Sequence, residues 1–291
     1  MEERRIPLHT KENSSFLYNS KGQMDFEFKG LKAIDKFKER NKDFVVPYSK
    51  ILDRYKDILP FKYNKITIST ETGYINASPI SIGQQQNLFI ATQGPKDSTI
   101  EDFWTMVWES KSKVIVMLTN LIEADKKKCE NYWEAKMNKF QVEVKNVEEH
   151  GSYCVREIQL IKVSNDKERE ERTVYQIHYT KWPDQGVPKM EDLPIFSEIN
   201  QLVDRLNESD TKQPIIVHCS AGVGRTGTFI SMYLLEKEIE KQIKDNCPII
   251  RFNIFNLVRK LKEMRIYMVQ AYEQYELIYY FASYLLNKLN N

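Results

Sequence analysis

The sequence IIVHCSAGVGRTG, residues 215–227, places a short apolar run before a glycine-rich turn, and a helical pattern of apolar residues follows. We predict a buried strand at residues 215–217 and a helix that continues beyond Phe229. A glycine-rich turn at a helix N-terminus directs several backbone N–H groups, together with the positive end of the helix dipole, at one spot. The stretch therefore predicts a phosphate-sized anion cradle between a strand and a helix.

Two side chains of this stretch are suited to chemistry on phosphorus. Cys219 lies at the mouth of the predicted cradle, where the helix dipole favours the thiolate, the nucleophilic form of cysteine. Arg225 carries a permanent planar charge that can bind two phosphoryl oxygens. The spacing differs from the G-x-x-x-x-G-K-[ST] loop of nucleotide-binding proteins, so ATP or GTP is not indicated.

The other three cysteines fit a plainer role as small buried side chains: Cys129, Cys154 and Cys247. They form no C-x-x-C pair or Cys/His cluster, so we expect no metal site and no cofactor. Four cysteines are too few for a disulfide framework in 291 residues, which favours a reducing, cytoplasmic compartment.

Composition excludes several classes of protein. With 43 basic and 41 acidic side chains the net charge is +2, which is not the footprint of a nucleic-acid binder. A hydrophobic content of 41% argues against general disorder. The start, MEERRIPLHT, has no apolar region typical of a secretory signal. The longest apolar runs, residues 114–118 and 214–217, are too short for a membrane segment, so none is expected.

The rest of the chain alternates between strand and helix periods. Strands are predicted at residues 65–69, 88–91, 114–119, 155–163 and 173–180, with the charged run 166–172 as a hairpin tip. Helices are predicted at residues 25–44, 193–206, 254–264 and 271–289. Residues 1–25 are polar and are predicted as a loosely ordered N-terminal arm. We expect one α/β (α+β) domain with a twisted mixed central β-sheet flanked by helices.

The C-x5-R element HCSAGVGRTGT resembles the signature of the tyrosine-specific protein phosphatases. Further blocks occur in the order of that family: RYKDILPF (54–61), YINAS (74–78), TQGP (92–95), FW-x-M-VWE (103–109), C-x-x-YW (129–133), WPDQGVP (182–188) and QAYEQ (270–274). The resemblance covers residues 27–289 and implies that residues 26–291 form a protein tyrosine phosphatase catalytic domain.

The resemblance also implies catalytic roles. Cys219 would be the nucleophile that forms a phosphocysteine, and Thr226 would donate a hydrogen bond to the departing thiolate. Asp184 would be the general acid on a mobile loop, although an aspartate after a proline is, on its own, simply a turn former. Gln270 would orient the attacking water with help from Gln274, although a pair of glutamines on a helix is usually exposed and without a catalytic role.

Substrate binding follows from the same resemblance. Tyr55 would form the wall of a deep slot that phosphotyrosine reaches and phosphoserine does not, and Asp57 would accept backbone N–H groups of the substrate peptide. The charge of Lys56 suggests a preference for acidic flanking residues. The phosphate would lie among the residues of the cradle: Ser220, Ala221, Gly222, Val223, Gly224 and Arg225. The expected partners are phosphotyrosyl proteins, and the expected oligomeric state is a monomer.

Several residues near the site receive supporting roles or depart from the family pattern. Glu123 and Lys128 resemble the family loop that supports Arg225. His218 precedes the nucleophile and is expected to tune the pKa of Cys219 or to order the loop rather than to carry a proton.

Gln185 stands where many members have an aromatic residue or histidine, and Tyr267 stands where some have a small residue. These departures motivate a second hypothesis, a catalytically silent phosphotyrosine-binding module. A third is a dual-specificity or phosphoinositide phosphatase, against which Tyr55 and Val223 argue.

Overall fold

The computed structural model describes residues 4–7, 21–82, 85–163, 170–208 and 213–289. Its α-helices are α1 (Lys21–Arg40), α2 (Ile100–Glu109), α3 (Leu193–Leu206), α4 (Gly224–Lys244), α5 (Ile254–Met264) and α6 (Tyr272–Leu289). Its strands are β1 (Arg4–Pro7), β2 (Ala77–Ile82), β3 (Gln85–Thr92), β4 (Val114–Met117), β5 (Ile122–Glu123), β6 (Lys126–Lys127), β7 (Phe140–Glu149), β8 (Tyr153–Lys162), β9 (Glu170–Tyr179), β10 (Ile215–His218) and β11 (Ile249–Phe252). Short 3-10 helices occupy Lys42–Phe44, Asp97–Thr99 and Met190–Asp192.

Strand β10 lies inside a mixed sheet of order β2-β3-β10-β4-β9-β8-β7. It pairs in parallel with β3 on one side and β4 on the other, so that Ile216 lies between Ile90 and Ile115. All four of its residues are buried, which is why this strand is a continuous apolar run rather than an alternating one. The mixed sheet with flanking helices confirms the predicted fold class.

The two faces of the sheet belong to separate apolar clusters. Ile215 and Val217 face the cluster that contains residues of α3, α4 and α6, whereas Ile216 faces the cluster built around Trp104 of α2. Successive side chains of a strand point to opposite faces, so this short strand anchors both layers. The carboxyl end of β10 is thereby fixed before the chain enters the glycine-rich turn.

Most predicted elements are present, with some differences. The helices at 193–206 and 254–264 have the predicted bounds, and the last helix begins at Tyr272. The strand predicted at 65–69 is wrong, because that segment makes only the isolated bridge Thr67↔Tyr74. The hairpin tip falls largely on residues 164–169, which lie outside the described residues, while residues 170–172 belong to β9.

The N-terminal segment differs from the predicted loose arm at both of its described parts. Arg4–Pro7 pairs antiparallel with Ile249–Phe252, and α1 begins at Lys21, so the predicted boundary after residue 25 falls inside a helix. The physical reason is Met24, which is buried and extends the apolar stripe of Phe28 one turn towards the N-terminus. None of the helices in the described ranges is long and apolar enough to cross a membrane.

Candidate active site

The cradle forms where β10 ends at His218 and α4 begins at Gly224. The sulfur of Cys219 accepts hydrogen bonds from the backbone N–H of Gly222 and from the hydroxyl of Thr226, each at 3.3 Å. Cys219 is 5% exposed. Two donors directed at one buried sulfur stabilise negative charge on it, as a nucleophilic thiolate requires.

The turn requires glycine at Gly222. Its φ is +72°, and a Cβ atom there would lie 2.1 Å from the carbonyl oxygen of Thr92. Behind the turn, a Cβ on Gly94 would lie 2.7 Å from the carbonyl oxygen of Cys219. The turn therefore packs directly on the end of β3, with no room for side chains between the two backbones.

Arg225 is held by a two-pronged ion pair. Its Nη1 and Nη2 donate to the two carboxylate oxygens of Glu123 at 2.6 and 2.9 Å, and to the carbonyls of Leu118 and Pro183 at 3.1 and 3.2 Å. Burial would raise the pKa of Glu123, but the bonds and charge of Arg225 hold it below its usual value. The predicted support of Arg225 by Glu123 is confirmed.

Arg265 is a residue of the site that sequence reasoning missed. It is fully buried, and its guanidinium donates to the carbonyls of Gly222 at 2.9 Å and Ala221 at 3.1 Å. It also donates to Asn76 at 2.7 Å and Ser78 at 3.2 Å. Because Arg265 binds the carbonyls of Gly222 and Ala221, the backbone N–H of Gly222 faces the other way and donates to the Cys219 sulfur. Burial lowers the pKa of Arg265 to about 10, so it remains charged at neutral pH.

Tyr55 lies at the side of the cradle. Its hydroxyl donates to Oγ of Ser220 at 2.8 Å, and Ser220 in turn donates to the carbonyl of Lys128 at 2.9 Å. The Tyr55 loop is tied to the end of β3, because the amide oxygen of Gln93 accepts the backbone N–H of Arg54 at 2.8 Å. Gln93 was not singled out from the sequence, where nothing marks it as a loop anchor.

The two predicted glutamines lie beside the start of α4. Oε1 of Gln274 accepts the backbone N–H groups of Gln270 at 2.9 Å and Ala271 at 3.1 Å, just before α6. A Cβ on Gly224 would lie 2.9 Å from Nε2 of Gln274, so this amide rests against the cradle. The side chain of Gln270 is exposed and available to solvent.

Asp184 and Asp57 are not drawn into the cradle. Both side chains are exposed. The loop that carries Asp184 is nevertheless linked to the cradle, because the carbonyl of Pro183 accepts from Arg225. Its base is fixed by the buried Trp182, whose indole N–H donates to Gly186 at 3.4 Å.

His218 is buried beneath the nucleophile. Its Nδ1 lies 3.1 Å from the carbonyl oxygen of Cys219, which can only accept, so Nδ1 carries the hydrogen. Burial lowers the pKa of His218 to about 3, so the ring is neutral and Nε2 accepts from the hydroxyl of Tyr132 at 2.9 Å. This arrangement agrees with an ordering role for His218.

The arrangement as a whole combines a nucleophilic sulfur, a fixed guanidinium and a backbone N–H, that of Gly222, directed at the sulfur. Among the described residues, no group of three or more His, Cys, Asp or Glu side chains is placed to hold a metal ion. The chemistry available to these groups is nucleophilic attack on a bound phosphoryl group, with the protein itself stabilising the charge.

Comparisons with known proteins agree with this chemistry. Residues 49–284 match the family model of the protein-tyrosine phosphatase domain. The chain is 36% identical over 270 residues to human receptor-type tyrosine-protein phosphatase alpha, covering 89% of this chain and 32% of that protein. It is 38% identical over 247 residues to mouse receptor-type tyrosine-protein phosphatase C, covering 82% of this chain and 18% of that protein. The chain thus spans a third or less of the length of these curated relatives.

A solved structure gives the same result. The catalytic domain of human protein tyrosine phosphatase non-receptor type 18 superposes with a TM-score of 0.80 at 28% identity, covering 94% of this chain and 99% of that one. The family model, the relatives and the shared architecture lead to one conclusion: the chain belongs to the protein-tyrosine phosphatase family.

Proposed function

We propose that this chain hydrolyses phosphotyrosine in proteins through a phosphocysteine formed on Cys219. The observation that carries the proposal is the pair of donors on the Cys219 sulfur, from Gly222 and Thr226, at a turn where Glu123 fixes Arg225. Support also comes from the relatives, which are named as tyrosine phosphatases.

In the first step, the Cys219 sulfur attacks phosphorus and the bond from phosphorus to the phenolic oxygen breaks. Arg225 binds two of the three phosphoryl oxygens as charge develops, and the N–H groups of the turn bind the third. The leaving oxygen needs a proton, and we assign its donation to Asp184. Since Asp184 is exposed, this assignment requires its loop to close over the bound substrate.

In the second step, water attacks the phosphocysteine, and the sulfur leaves as a thiolate. Gln270 is proposed to orient the water, with Gln274 holding the backbone of Gln270 in place through its amide oxygen. Asp184, now ionised, accepts the proton of the water. The hydroxyl of Thr226 stabilises the departing thiolate, because it already donates to the Cys219 sulfur.

Substrate choice is assigned to the residues at the slot. Tyr55 is half-buried and tied to Ser220, which fits a rigid wall against which a phenyl ring packs. The exposed Asp57 is proposed to accept backbone N–H groups of the substrate. A solved structure of the non-receptor type 18 phosphatase in complex with HER2 phosphopeptides supports phosphotyrosyl substrates for this chain.

We propose that the catalytic domain comprises residues 26–291 together with the start of α1 from Lys21, and that it acts in the cytoplasm, in phosphotyrosine signalling, as a monomer. Support for a reducing compartment comes from the four cysteines, which are all free of disulfides.

The direct test is hydrolysis of para-nitrophenyl phosphate and of phosphotyrosyl peptides by the purified chain in the presence of a chelator. We expect turnover that Cys219→Ser abolishes, with Cys247→Ser as the matched control because Cys247 is a free, half-buried cysteine. Wild-type turnover by the Cys219→Ser protein, or a strict need for added divalent metal, would overturn the proposal.

A further inference from the structure

Arg156 of β8 stands at the head of a buried hydrogen-bonded chain that ends at the nucleophile. Its Nη1 donates to Oε1 of Gln176 at 2.8 Å, and Nε2 of Gln176 donates to the hydroxyl of Tyr132 at 2.7 Å. The Tyr132 hydroxyl then meets Nε2 of His218 at 2.9 Å, and Nδ1 of His218 meets the carbonyl of Cys219 at 3.1 Å. This chain of hydrogen bonds crosses two strands of the sheet before it reaches the cradle.

A second chain of hydrogen bonds begins at the same nitrogen, Nη1 of Arg156. Nη1 of Arg156 lies 3.3 Å from Nδ1 of His178, and Nε2 of His178 lies 2.8 Å from the carbonyl oxygen of Thr119. The hydroxyl of Thr119 donates to Glu123 at 2.9 Å, and Glu123 holds Arg225. One guanidinium is therefore linked to the nucleophile on one side and to the phosphate-binding arginine on the other.

The groups at the two ends of the first chain determine which partner donates in each of its hydrogen bonds. An arginine can only donate and a carbonyl oxygen can only accept, whereas the links between them can each do either: Gln176, Tyr132 and His218. With Arg156 present, the amide oxygen of Gln176 faces the guanidinium, so its NH₂ group faces Tyr132. Without Arg156 the amide is free to reverse and Tyr132 can donate to it. Nε2 of His218 then loses the donor that supports the Nδ1–H tautomer, and only the Cys219 carbonyl still favours that tautomer.

The same reasoning applies to the second chain. Donation from Arg156 makes Nδ1 of His178 the acceptor, which leaves the hydrogen on Nε2 for the carbonyl of Thr119. The guanidinium is itself held in place, because its central carbon lies 4.4 Å from the ring centre of Trp133. Arg156 is only partly buried. The free-energy cost of removing its charge from water is therefore lower than the cost of burying the polar groups of the network that it organises.

We propose that Arg156 is a positioning residue for the phosphatase reaction, which sets the tautomer of His218 together with the Cys219 carbonyl and thereby the orientation of that carbonyl and of the turn. The inference rests on the proposed function, since positioning has meaning only for a turn that performs chemistry. It assigns a role in catalysis to a side chain that touches neither the substrate nor any residue of the cradle.

The experiment measures the His218 tautomer by ¹⁵N chemical shifts in histidine-labelled protein, together with kcat for para-nitrophenyl phosphate. Arg156→Met removes the donor, and Arg156→Lys keeps a donor-only group at the head of the chain. Arg172→Met is the matched control, because Arg172 also stacks on a tryptophan, Trp108, at 3.9 Å and donates to the carbonyl of Trp108 at 2.7 Å.

We expect Arg156→Met to shift His218 away from the Nδ1–H tautomer and to lower kcat about tenfold, as for the loss of a cooperative buried network. Arg156→Lys should restore the tautomer and most of kcat, and Arg172→Met should change neither. A wild-type tautomer in Arg156→Met, or an equal loss of kcat in Arg172→Met, would overturn the inference.

A second variant and a second readout keep the test decisive. If Arg156→Met does not fold, Gln176→Met cuts the first chain at its next link and is read in the same way. If the wild-type chain fails to hydrolyse para-nitrophenyl phosphate, the proposed function falls, while the tautomer readout still reports on the chain of hydrogen bonds by itself.

Discussion

Glu123 and Arg225 form a two-pronged ion pair, with nitrogen–oxygen distances of 2.6 and 2.9 Å, and their side chains are only 4% and 13% exposed. Glu123 lies in the β5–β6 hairpin, and Arg225 lies in the first turn of α4. The pair therefore fixes the group proposed to bind phosphate against a hairpin more than a hundred residues away in sequence. The proposed chemistry depends on this ion pair, because it holds the guanidinium beside the cradle while the Nη hydrogens now donated to the carbonyls of Leu118 and Pro183 are transferred to the phosphate.

The ion pair gives a prediction about stability and pH. Glu123→Gln leaves the Arg225 charge partly unpaired and should lower the free energy of unfolding by about 2 kcal/mol at neutral pH. A carboxylate whose folded pKa is depressed stabilises the protein above its unfolded pKa, and the stabilisation is lost as pH falls through the folded pKa. The difference between wild type and variant should therefore shrink below about pH 4.

Urea unfolding at several pH values measures this difference. Glu130→Gln is the control, since its partner Lys127 is 59% exposed and such a pair contributes at most about 1 kcal/mol. A Glu123→Gln difference that persists unchanged into acid would show that the ion pair is not its source.

The turn gives a prediction about glycine. Gly222→Ala should destabilise the protein by about 4 kcal/mol or more and abolish turnover, because the added Cβ would lie 2.1 Å from the Thr92 carbonyl. Gly151→Ala is the matched control, with a φ of +75° and open space around it, so it should cost only about 1–2 kcal/mol. Thermal unfolding measures both, and equal losses would mean that backbone strain alone, without the clash, explains the requirement.

Arg265 gives a third prediction. Arg265→Met leaves the carbonyls of Gly222 and Ala221 without their buried donor and should lower the free energy of unfolding by about 3–5 kcal/mol. It should also lower kcat in the fraction that remains folded, because the turn loses the group that orients its carbonyls.

The control for Arg265 is Arg259→Met, which removes an arginine that is 38% exposed and should change stability by about 0.5 kcal/mol or less. Denaturant titration and initial rates on the same samples give both quantities. Full kcat in folded Arg265→Met protein would contradict an orienting role.

The proposed general acid gives a fourth prediction. Asp184→Ala should lower kcat about 10²–10⁴-fold and leave phosphotyrosyl proteins bound, because binding does not require the proton. Steady-state kinetics with a phosphotyrosyl peptide checks this, with Asp245→Ala as the control, since Asp245 is an exposed residue at the end of α4. A kcat within a factor of about two of wild type in Asp184→Ala would remove Asp184 from the mechanism.

The part of the site that is contiguous in sequence was predictable. The residues with chemical roles in the turn, from Cys219 to Arg225, are close neighbours in sequence. The strand before the turn and the helix after it lie close to the predicted bounds. Arg265 could not be found in this way, because its partners Gly222 and Asn76 are 43 and 189 positions distant in the chain. The available signal was a charged residue between the apolar residues Met264 and Ile266, which indicates a buried polar partner without identifying it.

The elements that were not predicted share a physical cause. In α2 seven of the ten residues are buried, which leaves only the narrow polar face of Glu101, Asp102 and Glu109 to mark the helical period. In β7 the apolar alternation of Phe140, Val142 and Val144 is interrupted by the register shift between Val144 and Asn146, beyond which the strand is exposed. Both elements are specified by tertiary contacts more than by their own pattern, whereas β10 and α3 carry strong local patterns.

The phosphocysteine is the central claim, and rapid quenching of the reaction with a phosphotyrosyl peptide, followed by mass spectrometry of the digested protein, tests it most directly. Gln270→Ala should slow hydrolysis of the intermediate and increase its yield. The account predicts one phosphoryl group on the peptide that contains Cys219, and none there in Cys219→Ser. Turnover without a covalent adduct, or an adduct on a different residue, would contradict it.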